Sequence, residues 1–185
     1  MISLHPRIYK LFNEDCREVM LRFPPHSIDL ILADPPYNIS QYSSGNILRV
    51  GKSMLNNDIA EWDKVIIKPA EYLDVFKRLI KPTGNIIIFS GYNQIGECPI
   101  CSYPERLKNP YHPTQKPLQL IEHFVKIASN PGSIVFDPFM GVGSTGVAAV
   151  KNGRRFIGCD INKAYVLASQ ERMESIINVA HKPLP

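Results

Sequence analysis

Two short stretches of the chain carry residue types whose order could do chemistry. In the first, the apolar run Ile28-Asp29-Leu30-Ile31-Leu32-Ala33 leads directly into Asp34-Pro35-Pro36-Tyr37. Two adjacent prolines fix their own backbone and restrict the residue before each, so the carbonyl of Pro35 is held in one direction with no neighbouring N–H to compete. An ionised Asp34 only accepts hydrogen bonds. With that carbonyl it could hold both hydrogens of a planar amino group and draw the nitrogen lone pair out of conjugation. Tyr37 would stack on the attached ring. The plainer alternative is a proline turn after a strand, with Asp34 as a local cap.

In the second stretch, Ile134-Val135-Phe136-Asp137 runs into Pro138-Phe139-Met140-Gly141-Val142-Gly143-Ser144-Thr145-Gly146 and an alanine-rich segment. This order reads as strand, glycine loop and helix. Glycines admit a close backbone approach, and a helix amino terminus favours the negative groups of a ligand. Gly141, Gly143 and Gly146 satisfy the dinucleotide pattern G-x-G-x-x-G, and Asp160 lies about 20 residues on, where a ribose-binding acid belongs. A nicotinamide enzyme is therefore one reading. The dinucleotide pattern has no use for Asp137, however, and that carboxylate suits a cationic amine. An amino acid joined to a nucleoside fits better, and Asp160 would serve the ribose in either case.

Stepping outward to the elements that would position these groups, short apolar runs at 7–13, 28–33, 85–90, 134–137 and 155–159 predict buried strands. Helical periodicity covers 16–22, 69–80, 117–129, 144–151 and 162–177, with Pro69 and Pro117 as first-turn prolines. Such alternation predicts a doubly wound α/β domain with a mostly parallel sheet, whose ligands gather at the carboxyl ends of the strands. Two long loops remain, 38–68 and 91–113, and long loops in compact domains are often functional.

The chain has 185 residues, 44% hydrophobic and 21% charged, which suits a single domain spanning 1–185 and excludes disordered and collagen-like classes. No run reaches the roughly 18 apolar residues of a membrane span. The net charge of +4 permits a polyanionic partner without requiring one. Four cysteines are too sparse for a disulfide scaffold. A reducing, cytoplasmic setting is expected.

Asp34-Pro35-Pro36-Tyr37, His112-Pro113-Thr114-Gln115-Lys116-Pro117 and Phe136-Asp137-Pro138-Phe139-Met140-Gly141-Val142-Gly143-Ser144-Thr145 together make the chain resemble the S-adenosylmethionine-dependent DNA amino-methyltransferases. The order, catalytic motif before cofactor motif, is similar to the beta group, and the resemblance spans nearly the whole chain except the region around 92–110. It implies a Rossmann-like methyltransferase sheet with fewer strands than the usual seven. It further implies that Asp34, Pro35, Pro36 and Tyr37 hold the target base. Asp137, Pro138, Phe139, Gly141, Gly143, Ser144 and Thr145 would surround the methionine part of the cofactor. Asp160 would take its ribose, Asp15 beside Cys16 its adenine, and Lys116 with Pro117 would border its carboxylate. The implied reaction is direct methylation of the amino group of a flipped base in DNA, as in restriction-modification systems, without a covalent enzyme intermediate. Flipping costs a few kcal/mol, of which stacking on Tyr37 would offset roughly 1 to 3 kcal/mol. No cysteine follows a proline in the manner of the ring-carbon cytosine enzymes. Asp before Pro-Pro-Tyr tilts the resemblance toward adenine over the cytosine amino group.

The chain departs from the family between its third strand and the His-Pro-Thr motif, where further strands and the target-recognition region belong. Only 91–113 is present there, with prolines at 99, 104, 110 and 113. The expectation is a sheet edge at 85–90 without its usual neighbours. Phosphate contacts position and base-edge contacts specify, so the chain would be unspecific, would depend on a homodimer or a separate specificity partner, or would be an inactive remnant that still binds cofactor. Cys98 and Cys101 have zinc-knuckle spacing, but no second pair follows and no metal is expected. Trp62 falls in a segment similar to the family's mobile loop, where it would equally serve as a buried anchor.

Overall fold

Apolar runs bounded by turn residues become strands here, and the amphipathic stretches between them become helices. The computed structural model describes residues 8–36, 46–49, 52–56, 69–89 and 115–180. In chain order these form β1 (Tyr9–Phe12), α1 (Cys16–Leu21), β2 (Ile28–Ala33), β3 (Asn46–Arg49), β4 (Lys52–Asn56), α2 (Pro69–Leu79), β5 (Ile80–Ile88), α3 (Leu118–Ala128), β6 (Ile134–Asp137), α4 (Ser144–Lys151), β7 (Arg155–Cys159) and α5 (Lys163–Ala180). Among the described residues the main sheet has five strands in the order β1-β7-β6-β2-β5, and every pairing in it is parallel. The doubly wound α/β expectation holds, and the hairpin β3–β4 forms a separate two-stranded sheet.

Alternation along the strands builds two cores. Ile31, Ala33, Ile134, Phe136 and Ile157 face α1 and α2, whereas Leu30, Leu32, Val135 and Phe156 face α3, α4 and α5. Both sheet faces are thereby covered, as a parallel sheet requires. Local signals set the helix ends. Asp15 caps α1 by accepting from the Arg17 amide at 2.8 Å, and Glu71 in the first turn of α2 with Lys77 and Arg78 in its last complements the helix dipole. Pro69 opens α2 as expected. Pro117 instead stands one residue before α3, in extended backbone, as its N-cap.

Two differences from the sequence expectation have physical causes. Residues 38–68, read as a loop, contain the antiparallel hairpin β3–β4; Gly51 between two apolar pairs was its signal. The strand expected at 85–90 starts at Ile80, because Pro82 and Gly84 sit within an irregularity where Ile28 pairs Ile80 but Leu30 pairs Asn85. A Cβ on Gly84 would lie 2.8 Å from the Asp29 carbonyl oxygen, so only glycine lets the strands close there. Asp29, an acid inside an apolar strand, is explained by the same seam: it accepts from Lys81 Nζ at 2.7 Å and from the Ile134 amide at 2.8 Å.

The connections place the ligand crevice. From β2 the chain moves to β5 on one side, while from β6 it moves to β7 on the other. Their loops therefore part between the adjacent carboxyl ends of β2 and β6, the switch point at which open α/β sheets bind ligands. Asp34 follows one of those ends and Asp137 closes the other.

Candidate functional site

Asp137 is 3% exposed at the last position of β6. Its Oδ2 accepts from Thr145 Oγ1 at 2.6 Å and its Oδ1 from the Phe139 amide at 3.0 Å. Burial pushes its pKa up to about 7; those two hydrogen bonds oppose the rise, and the charges of Asp34 and Asp160 add to it. A buried acid poised near neutrality gains most from an arriving cation, which would hold it ionised.

The glycine loop that follows is tethered from several sides. Gly141 and Gly143 adopt left-handed φ values of 51° and 77°. Gly143 caps α4, and a Cβ there would meet Ser169 Oγ at 2.6 Å. Ser169 donates to the Gly141 carbonyl at 3.0 Å, and Arg172 Nη1 donates to the Val142 carbonyl. Asp160 Oδ2 accepts from the Gly141 amide at 3.0 Å, and the Cys159 thiol donates to the Pro138 carbonyl at 3.3 Å. The result is a fixed loop ahead of the α4 amino terminus. At its first helical position Ser144 Oγ is buried without a hydrogen-bond partner among the described residues. An unsatisfied buried hydroxyl costs about 1–3 kcal/mol, which a polar ligand atom in the cleft would relieve.

On the β2 side Asp34 and Pro36 are partly buried and Pro35 is buried. Asp34 Oδ2 accepts from Lys116 Nζ at 2.6 Å, and the ammonium also lies 5.2 Å from the Phe89 ring centre. Phe89 is anchored by donating its amide to the Ala33 carbonyl at 2.8 Å. A cleft open to solvent lies between the two strand ends.

Asp34, Lys116, Phe139, Asp137, Gly141, Ser144 and Thr145 line this one cleft. Pro138 and Gly143 support its loop, and Pro117, after Lys116, is the N-cap of α3. Asp160 spends a hydrogen bond from each oxygen on backbone, Oδ1 accepting from the Asn162 amide at 2.8 Å, and burial raises its pKa. Asp15 has the Arg17 guanidinium on it at 2.7 Å, which holds its carboxyl below the usual range. An adenine amino group would have to share that carboxylate. Cys16 beside it is buried, with burial pushing its thiol up to about 12; Cys159 is raised for the same reason. Neither is a thiolate nucleophile. Tyr37, His112, Trp62, Cys98 and Cys101 lie outside the described residues. Among those residues no group of three or more potential metal ligands occurs.

Four contributors had no role in the motif reading, although Gln115 stands inside the His-Pro-Thr motif. Phe89 and Gln115 line the cleft, Gln115 being 6% exposed; the carboxyl-end rule pointed to the first, and adjacency to Lys116 to the second. Ser169 and Arg172 hold the glycine loop from α5, and their three-residue spacing on a helix was the only trace of a shared face.

The all-parallel sheet, with an acid at each of the two strand ends of one switch point, is similar in fold to solved structures that include a DNA methyltransferase. One fold match is to the structure of the M1.HpyAVI–SAM complex, with a TM-score of 0.63 and 21% identity over 90% of this chain and 99% of that one. The PvuII DNA methyltransferase, described as cytosine-N4-specific, matches with a TM-score of 0.51 and 18% identity, over 93% and 91% of the two chains. In sequence, a protein of Escherichia coli K12 named as a methylase, YubD, is 27% identical over 217 aligned residues, covering 90% of this chain and 91% of its own. A family model described as DNA methylase matches residues 97–171. By these matches the chain is similar to DNA methylases. No helix of the described residues is long and apolar enough to cross a membrane.

Proposed function

We propose that this chain methylates the exocyclic amino group of adenine in DNA, with S-adenosylmethionine as methyl donor. The observation that carries the reading is the meeting of Asp34 and Lys116 with Asp137 and the unpartnered Ser144 hydroxyl in one cleft at the switch point. The donor set suits the cofactor's amino-acid end: Asp137 for the cationic amine, Ser144 and the α4 amino terminus for polar atoms, Lys116 for the carboxylate. Asp160 is the candidate for the ribose and Asp15 for the adenine. When bound, the cofactor supplies a methyl group activated by a sulfonium.

The residues on the β2 side prepare the acceptor nitrogen. Asp34 accepts a hydrogen bond from the amino group, and the Pro35 carbonyl is the second acceptor, so the lone pair is drawn out of conjugation. Tyr37 stacks on the flipped base. On methylation the amino nitrogen would shed one proton, which Asp34 or water would take. Positioning supplies much of the rate.

Adenine is favoured by the aspartate before Pro-Pro-Tyr. The cytosine amino group is the second reading, supported by the fold match to a cytosine-N4-specific enzyme. If the short segment 91–113 lacks a base-reading surface, a second copy or a separate partner would supply sequence selection. The test is transfer of a radiolabelled methyl group to mixed-sequence DNA followed by nucleoside analysis. Label in 6-methyladenine that disappears with Asp34→Ala is the expected result. Label in N4-methylcytosine would shift the reading to the second base, and cofactor binding without label would mark a binding-only remnant.

A further inference from the structure

Among the described residues lining the cleft, Lys116 is the one cationic side chain, and it stands on the carboxylate assigned to the target base. We propose that Lys116 is a positioning residue that couples the two ligands: it leaves Asp34 for the cofactor's carboxylate, and only then is Asp34 released to the incoming amino group. The inference rests on the S-adenosylmethionine reading above.

Three observations carry it. The ammonium lies 2.6 Å from Asp34 Oδ2, with both side chains largely withdrawn from solvent, at 23% and 19% exposure. An amino group seeking that oxygen therefore meets a charge-assisted bond already in place. The Phe89 ring, 5.2 Å from the ammonium, gives the cation a second favourable surface within the same cleft. Finally, the lysine stem is long and its ammonium has three rotatable donors, so it can change partners without backbone movement. A carboxylate placed near the α4 amino terminus competes for the same ammonium, across a cleft whose lining holds both Lys116 and Ser144. Because each ligand favours the same displaced lysine, the coupling is reciprocal: cofactor tightens the acceptor, and acceptor tightens the cofactor.

Calorimetry on the full chain tests this without DNA, using S-adenosylhomocysteine and its decarboxylated analogue, which keeps the amine and the nucleoside. Asp34→Asn removes the ion pair, so it should raise affinity for S-adenosylhomocysteine on the order of tenfold and give no gain for the decarboxylated compound. Lys116→Gln should lower affinity for S-adenosylhomocysteine and erase the gain from Asp34→Asn in the double variant, whereas Lys116→Arg should preserve it. Melting curves confirm that each variant is folded. The inference is overturned if Asp34→Asn leaves S-adenosylhomocysteine affinity unchanged, or if its gain persists with Lys116→Gln, which would indicate a general field effect. Failure of the unsubstituted protein to bind S-adenosylhomocysteine at all would instead remove the cofactor reading itself.

Discussion

The two strand ends that form the cleft are built differently. After β6, the two oxygens of Asp137 are hydrogen-bonded by the loop that follows and by the first turn of α4, and that loop is pinned by Asp160, Ser169, Arg172 and Cys159. After β2, Asp34 is met by a lysine that arrives from 82 residues away and is partly exposed. One half is a preformed receptor, and the other holds a carboxylate in an ion pair that a ligand can exchange. A fixed half suits a ligand that is the same at every turnover. An exchangeable half suits a base that must be admitted late and released after reaction.

The largest effect should come from breaking the exchangeable half. Asp34→Ala is expected to lower methyl transfer by about 10²–10³-fold or more, the usual consequence of deleting one preorganised electrostatic group, while cofactor affinity is retained or rises. A parallel fall in cofactor affinity, measured by calorimetry, would mean that the two halves are not separable.

Breaking the fixed half should cost stability first. Gly143→Ala places a Cβ 2.6 Å from Ser169 Oγ and 3.1 Å from Ser169 Cα, at a φ of 77°. The combined strain and overlap should cost about 3 kcal/mol, read as a lowered urea midpoint. Gly143→Ala should cost less in a Ser169→Gly background than in the unsubstituted protein, because the overlap with Oγ and Cβ is gone and the φ part remains. No cost at all in that background would show that the left-handed backbone is not what constrains this loop.

Much of this arrangement was legible beforehand because the apolar runs at 28–33, 134–137 and 155–159 are short and sharply bounded, so strand and motif could be read as one unit. Asp34 and Asp137 fall at strand ends for that reason. The lysine–aspartate pair was not legible, since nothing local in either motif states that residues 82 apart will touch. Gln115, Ser169 and Arg172 escaped because their role is to hold backbone or fill a wall, and neither task has a distinctive residue pattern. The start of β5 was hidden by Pro82 and Gly84, which punctuate sequence yet are tolerated at an irregular edge.

The fixed half also carries the pH dependence. Asp137 has a folded pKa raised to about 7 from an ordinary 3.8. The folded chain therefore binds more protons than the unfolded one between roughly pH 4 and 7, and stability should fall as pH rises through that window and then level. Asp160 is shifted in the same direction. A cationic amine beside Asp137 would reverse the penalty, so affinity for S-adenosylhomocysteine should climb from pH 6 to 8 with release of a proton, visible as a buffer-dependent heat. Asp137→Asn should abolish both the climb and the proton release; a flat profile in the unsubstituted protein would place the amine elsewhere.

The smallest effect concerns Asp15, where two roles give different signatures. As the N-cap of α1 with Arg17 on its carboxylate, it should contribute about 1 kcal/mol to stability, so Asp15→Ala would lower the melting temperature by a few degrees. Asp15→Asn keeps an oxygen for the cap and loses the charge that holds the guanidinium. If Asp15 only closes the helix, Asp15→Asn should recover most of the lost stability and neither variant should change cofactor affinity. If it also accepts from the cofactor's adenine, both variants should weaken binding of S-adenosylhomocysteine while leaving 3-aminopropyl and homocysteine fragments without the nucleoside unaffected. The second pattern would extend the fixed half across β7 to the end of β1, the strand pair that Asn13 already ties together by donating to the carbonyls of Asp160 and Ile161 at 3.0 and 2.9 Å.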